Sequence, residues 1–182
     1  MGQPKQTCFV IMPFTVRPTE RGRYAEGHWT VVYEHLIAKA VQDAGCSVER
    51  DDEDASTRFI TEDIWRKIEQ ADVVVCDLSS HNPNVYLELG WTLRANKPFV
   101  LLVDGRIELP FNVRHISTVE YDLRPDKLER GRKALANAIT SALSHGAQER
   151  SIVERLELGT RAREAAAQGS LELVSCPRDS AT

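Results

Sequence analysis

Three short, almost unbroken apolar runs set the fold problem: Cys8-Phe9-Val10-Ile11-Met12, Val73-Val74-Val75-Cys76 and Phe99-Val100-Leu101-Leu102-Val103. Each is the length of a strand and lacks polar alternation, the pattern of a strand buried on both faces in a parallel sheet. Between the runs the apolar period lengthens to that of a helix. Trp29, Val32, Leu36, Ala40 and Ala44 share one face, and Gly45 follows as a C-terminal stop. A second helix is predicted to start near Thr61, to turn Ile64 and Ile68 inward, and to end at Ala71. Asn82-Pro83 reads as the N-cap and first residue of a third helix, running to Ala95. Leu128, Leu135, Ile139 and Leu143 mark a last core helix. Ser47-Val48-Glu49-Arg50 and Thr118-Val119-Glu120-Tyr121 are weaker strand candidates. Alternating strands and helices predict βαβ units with right-handed crossovers, hence an α/β fold with a doubly wound parallel sheet of about five strands.

The chain has 182 residues, which suits one compact domain and a short appendage. The expected division is an α/β domain over 1–145 and a helical extension and tail over 146–182. The extension is rich in Ala, Glu and Arg, with an amphipathic stretch over 148–168 that is a candidate oligomer contact. Hydrophobic residues at 42% and charged residues at 27% describe a chain with a packed core, which excludes disorder as its main state. No apolar run is long enough to span a membrane, and the first residues lack the apolar stretch of a secretory signal. The four cysteines are far apart and the five histidines dispersed, which argues against a structural zinc site or any metal centre and for a reduced, cytoplasmic protein. A net charge of −4 without a basic stripe argues against duplex nucleic acid as a partner. Neither G-x-G-x-x-G nor the P-loop pattern occurs, so neither dinucleotide redox chemistry nor P-loop phosphate binding has support.

In an open α/β sheet, ligands bind outside the carboxyl ends of the strands, near the reversal of strand order. That rim is expected to contain Pro13 and Phe14, Arg50, Asp77 to Ser80, Asp104 and Asp122, joined by the helix starts at 61–63 and 82–88. Within Asn82-Pro83-Asn84-Val85-Tyr86-Leu87-Glu88-Leu89-Gly90, Glu88 shares a helix face with Asn84 and adjoins an inward Leu89. A carboxylate held between apolar residues on this rim is poised as a nucleophile or acid–base group; the alternative is an ordinary surface glutamate. Gly90 is expected to admit a neighbouring backbone. Glu62-Asp63 either favours a helix N-terminus electrostatically or supplies a second carboxylate, and a pair about 5–5.5 Å apart suits a retaining glycosidic mechanism. Asp77 is balanced between bracing its loop and touching a ligand, and Asp72 is expected to be structural. For Arg50 and Arg114, solvation at the surface is favoured over phosphate binding.

Five motifs in fixed order carry a resemblance. They are Phe9 to Phe14 (FVIMPF), Ala71 to Ser79 (ADVVVCDLS), Asn82 to Gly90 (NPNVYLELG), Lys97-Pro98 and Leu109-Pro110-Phe111. Together, over roughly residues 8–143, they resemble the nucleoside 2-deoxyribosyltransferase-like superfamily and its bacterial branch related to TIR-like domains and nucleotide N-glycosidases. The resemblance implies a flavodoxin-like sheet and cleavage of an N-glycosidic bond in a nucleoside, nucleotide or nicotinamide dinucleotide, with Glu88 as the catalytic glutamate and Asp63 as the second carboxylate. Pro13, Phe14, Asp77, Ser79, Asn82 and Asn84 are the candidate substrate-binding residues. No cofactor is implied, NAD being a substrate if it binds. The implied partners are a small nucleotide or nucleoside and, as in TIR-like domains of defence systems, further copies of the chain. Deoxyribosyltransferases carry an aspartate six residues before the glutamate, where this chain has Asn82. The tyrosine expected in the first strand is replaced within Val10-Ile11. These departures weigh against sugar transfer and leave cleavage by Glu88. The readings from other classes are a deoxyribosyltransferase and a non-catalytic nucleotide-sensing or oligomerising module.

Overall fold

The computed structural model describes residues 5–50 and 60–145. The expected extension over 146–182 and the acidic stretch at 51–54 lie outside the described residues. The strands are β1 (Thr7–Ile11), β2 (Ser47–Arg50), β3 (Val73–Asp77), β4 (Phe99–Asp104) and β5 (Thr118–Tyr121). They form one sheet in the order β2-β1-β3-β4-β5 with every neighbouring pair parallel, a flavodoxin-like α/β architecture. β3 is buried along its whole length, whereas the edge strands β2 and β5 are only partly covered. That difference explains why central strands read as continuous apolar runs and edge strands as weaker, mixed ones.

Successive strand residues point to opposite faces, and each face has its own apolar cluster. Cys8, Val10, Val73, Val75 and Leu102 pack with Trp29, Leu36, Leu135 and Ile139. Phe9, Ile11, Val74, Cys76 and Leu101 pack with Ile68, Val85 and Leu89. The first face is covered by α1 (His28–Val32), α2 (Ala38–Asp43) and α5 (Pro125–His145), the second by α3 (Ile60–Gln70) and α4 (Pro83–Arg94). Between α1 and α2 the helix passes through a π-helical turn, Tyr33–Ile37, where regular spacing predicted one uninterrupted α-helix. A widened turn keeps most of the apolar period, so the pattern alone does not betray it. Gly45 ends this helix with φ of 80°, the left-handed conformation that glycine adopts without steric cost. Among the described residues, no helix is long and apolar enough to cross a membrane.

The chain leaves β1 to build β2 on one side, then returns to build β3 on the other. The order therefore reverses at β1, and the crevice over the carboxyl ends of β1 and β3 is where this topology places ligands.

Candidate functional site

A small cleft, partly open to solvent, lies at that reversal and is lined by Phe9, Val10, Ile11, Met12, Phe14, Ile64 and Glu88. Its floor is the end of β1, one wall is the segment leaving β1, and the opposite wall comes from α3 and α4. Glu88 reaches it because α4 buries Val85, Leu89 and Thr92 against the sheet, which leaves the intervening position on the shoulder of the helix. The glutamate is half-buried there. Burial first, and the Glu88 charge second, push up the thiol pKa of Cys76 near the end of β3. Gly90 is exposed, and a Cβ added there would meet nothing within 4 Å. The expected close approach of a neighbouring backbone is therefore absent at this position.

Phe14 forms part of the cleft wall and stacks its ring on Arg50, whose guanidinium carbon lies 4.4 Å from the Phe14 centroid and 4.6 Å from that of Tyr33. Arg50 is thus half-buried in an aromatic sandwich, which corrects the expectation of a solvated surface arginine. Arg114 is exposed and rests on the Phe111 ring. Pro13 is buried and is not among the residues that line the cleft.

Asp77 and Ser79 are fully buried. Asp77 Oδ1 accepts from the Ser79 N–H at 2.9 Å and from the Ser79 hydroxyl, while Oδ2 accepts from the Tyr121 hydroxyl at 3.2 Å. Ser79 Oγ in turn accepts from the Asp104 N–H at 2.8 Å. This network ties the carboxyl ends of β3, β4 and β5 together. Burial pushes the Asp77 carboxyl up to about 6, against the opposing pull of the Ser79 and Tyr121 hydrogen bonds. Burial acts on Asp104 in the same sense, yet the Arg106 guanidinium and N–H hold it below the ordinary carboxylate range. Two neighbouring rim carboxylates thus differ because one faces a cation and the other only neutral donors.

Asn82 caps α4, its Oδ1 accepting from the Asn84 N–H at 2.9 Å, and Pro83 is the first helical residue. The Asn84 side chain is exposed. Asp63 is half-exposed and pairs with Arg66 at 2.7 Å; its helix contributes Ile64 to the cleft lining. Asp72 Oδ2 accepts from the Thr7 N–H at 2.7 Å, at the amino end of the sheet away from the cleft. Three features had no separate sequence signal: the Arg50 sandwich, the role of Tyr121 in the Asp77 network, and a contact from Arg17 to the Ser80 carbonyl. Tyr121 carried the nearest hint, a ring with a hydroxyl at the rim end of a strand.

No family model matches the chain, and no curated protein matches its sequence. Among solved structures, a CMP N-glycosidase from Clostridium botulinum aligns at 15% identity over 71% of this chain and 98% of its own, with a TM-score of 0.45. The TIR domain of a Toll-related receptor from Hydra magnipapillata aligns at 16% identity over 70% of this chain and 96% of its own, with a TM-score of 0.47. A 2-deoxyribosyltransferase from Bacillus psychrosaccharolyticus aligns at 15% identity over 64% of this chain and 85% of its own, with a TM-score of 0.45.

Proposed function

We propose that this chain cleaves the N-glycosidic bond of NAD or another nucleotide, with Glu88 as nucleophile or stabiliser of the sugar cation. The observation that supports it is a carboxylate standing on an otherwise apolar cleft at the reversal of strand order, within the N-P-N-V-Y-L-E-L-G stretch. When the bond from C1′ to the base nitrogen breaks, its electron pair leaves with the base and positive charge grows on the sugar. A carboxylate held beside the sugar stabilises that cation, the more so once the bound substrate itself excludes water from the cleft. The Glu88 carboxylate either screens the cation or bonds to C1′. Water then adds to C1′, releases a proton and frees the carboxylate.

The leaving group narrows the substrate. A neutral base departs with a proton from a general acid, whereas nicotinamide in NAD is already cationic and becomes neutral as it takes the electron pair. Among the described residues that line the cleft, Glu88 is the one that ionises, and Asp63 pairs with Arg66 on the surface of its helix. NAD asks only for one placed carboxylate, the part that Glu88 is proposed to play. The working form is taken to be a homo-oligomer, as in TIR-like effectors of bacterial defence, so activity per protomer should rise with protein concentration.

The test incubates concentrated protein separately with NAD, dAMP, dCMP, AMP and deoxyadenosine, and follows base release by chromatography. Release from NAD is expected, and Glu88→Gln should lower it at least about 100-fold, the scale of losing one electrostatic partner of a developing charge. Transfer of the sugar to an added base would identify a deoxyribosyltransferase instead. No release at any concentration, with nucleotide binding retained in both proteins, would identify a sensing module.

A further inference from the structure

The two walls of the cleft belong to different crossovers. Phe14 lies in the segment after β1, and Glu88 lies on the helix after β3. Arg17 connects them. Its N–H donates to Glu20 Oε2 at 2.9 Å, and its Nη2 donates both to Glu20 Oε1 at 3.1 Å and to the Ser80 carbonyl. Glu20 is only 8% exposed, and a carboxylate desolvated this far depends on its partner. Ser80 is buried as well, and its Oγ accepts from the Asn82 N–H at 3.0 Å. Asn82 then caps the helix that carries Glu88. A continuous path of hydrogen bonds therefore runs from the Phe14 segment, through one guanidinium, to the first turn of α4.

We propose that Arg17 is a positioning residue for the cleft: it holds the Phe14 segment against the loop that starts α4, and so sets the opening over Glu88. Both contacts are made by the one Nη2, so the guanidinium bridges the glutamate and the carbonyl from a single nitrogen at the end of its long stem. Without it, the buried Glu20 carboxylate loses its cationic partner and keeps only the backbone N–H of residue 17, and the Ser80 carbonyl loses the donor that joins the two walls. The structural half of this inference stands on the contacts alone; the kinetic half rests on the proposed reading of Glu88.

The experiment uses the full chain with Arg17→Ala, Arg17→Met and Arg17→Lys, and has two readouts. In hydrogen exchange without ligand, Arg17→Ala should speed exchange about tenfold in peptides spanning 15–21 and 80–86 together, leaving β3 and β4 protected. Unchanged exchange at 80–86 overturns the connection, whatever the activity. If Arg17→Ala fails to fold, the same two segments are read in Arg17→Met, which keeps the stem and removes every side-chain donor, with the same criterion. In base release, kcat should fall about 10- to 100-fold in Arg17→Ala with KM changed less than about threefold, and Arg17→Lys, whose one nitrogen can donate to both acceptors, should restore part of it. A raised KM with kcat kept overturns positioning in favour of direct substrate contact. If the unaltered chain releases no base from any nucleotide, the glycosidase reading fails, and exchange at 80–86 still decides the role of Arg17.

Discussion

At the scale of single residues, the rim shows how partners decide the state of a buried carboxyl. Asp77 has no access to water and no cationic partner, and its carboxyl is raised from the ordinary 3.8 to about 6. The folded state therefore holds this proton more tightly than the unfolded chain. Its contribution to stability is fully present below about pH 4 and is lost as pH rises through about 6, a change of about 3 kcal/mol. Asp77→Asn keeps the shape and an acceptor for Ser79, and the Tyr121 hydroxyl can turn to its new neighbour. The expected outcome is a variant that loses this fall in stability between pH 4 and pH 6, seen by comparing melting temperatures of the two proteins across that range. Equal pH profiles would mean that Asp77 is held differently. That Asp77 would close the third strand on the rim was readable from the chain, as was the choice between bracing and binding. Its partner was not, because Tyr121 is 44 positions away and comes alongside only across β4.

At the scale of elements, α4 is the piece the sequence describes best. Asn82 and Pro83 start it as their local chemistry dictates, and Val85 and Leu89 turn inward at helical spacing. Asn82→Ala removes the acceptor for the Asn84 N–H and should destabilise the protein by about 1 kcal/mol, whereas Asn82→Asp should cost little. Urea unfolding measures both. Since the cap also stands between Ser80 and Glu88, Asn82→Ala should lower base release more than its stability loss explains. The π-helical turn at Tyr33–Ile37 marks the limit of such reading. No proline or glycine announces it, and it hardly disturbs the burial pattern.

At the scale of the whole molecule, the sheet separates two apolar clusters that share no side chain. Ile139→Ala, in the cluster under α5, and Leu89→Ala, in the cluster under α4, should each cost about 2–5 kcal/mol. Their effects should add to within about 0.5 kcal/mol, because no contact links the sites. Only Leu89→Ala should also impair base release, since Leu89 seats the turn that presents Glu88. A double variant measured by denaturant unfolding, with activity followed below the transition, tests both statements.

The division between sequence and tertiary structure follows from the range of the forces involved. Strands, helices, caps and the inward or rim position of each side chain depend on residues a few places apart. The chain by itself therefore determined five strands alternating with helices, the cap at Asn82 and the shoulder position of Glu88 beside Leu89. Which rim residues meet depends on strand order and crossover, and only the folded molecule decided that. It set Arg50 between Phe14 and Tyr33, Asp77 against Tyr121, and Arg17 on Ser80, 63 positions along the chain. It left Asp63 to Arg66 one turn away on its own helix. Local periodicity records whether a side chain is buried, but a hydrogen-bond partner brought in by another crossover leaves no trace in the spacing around either residue.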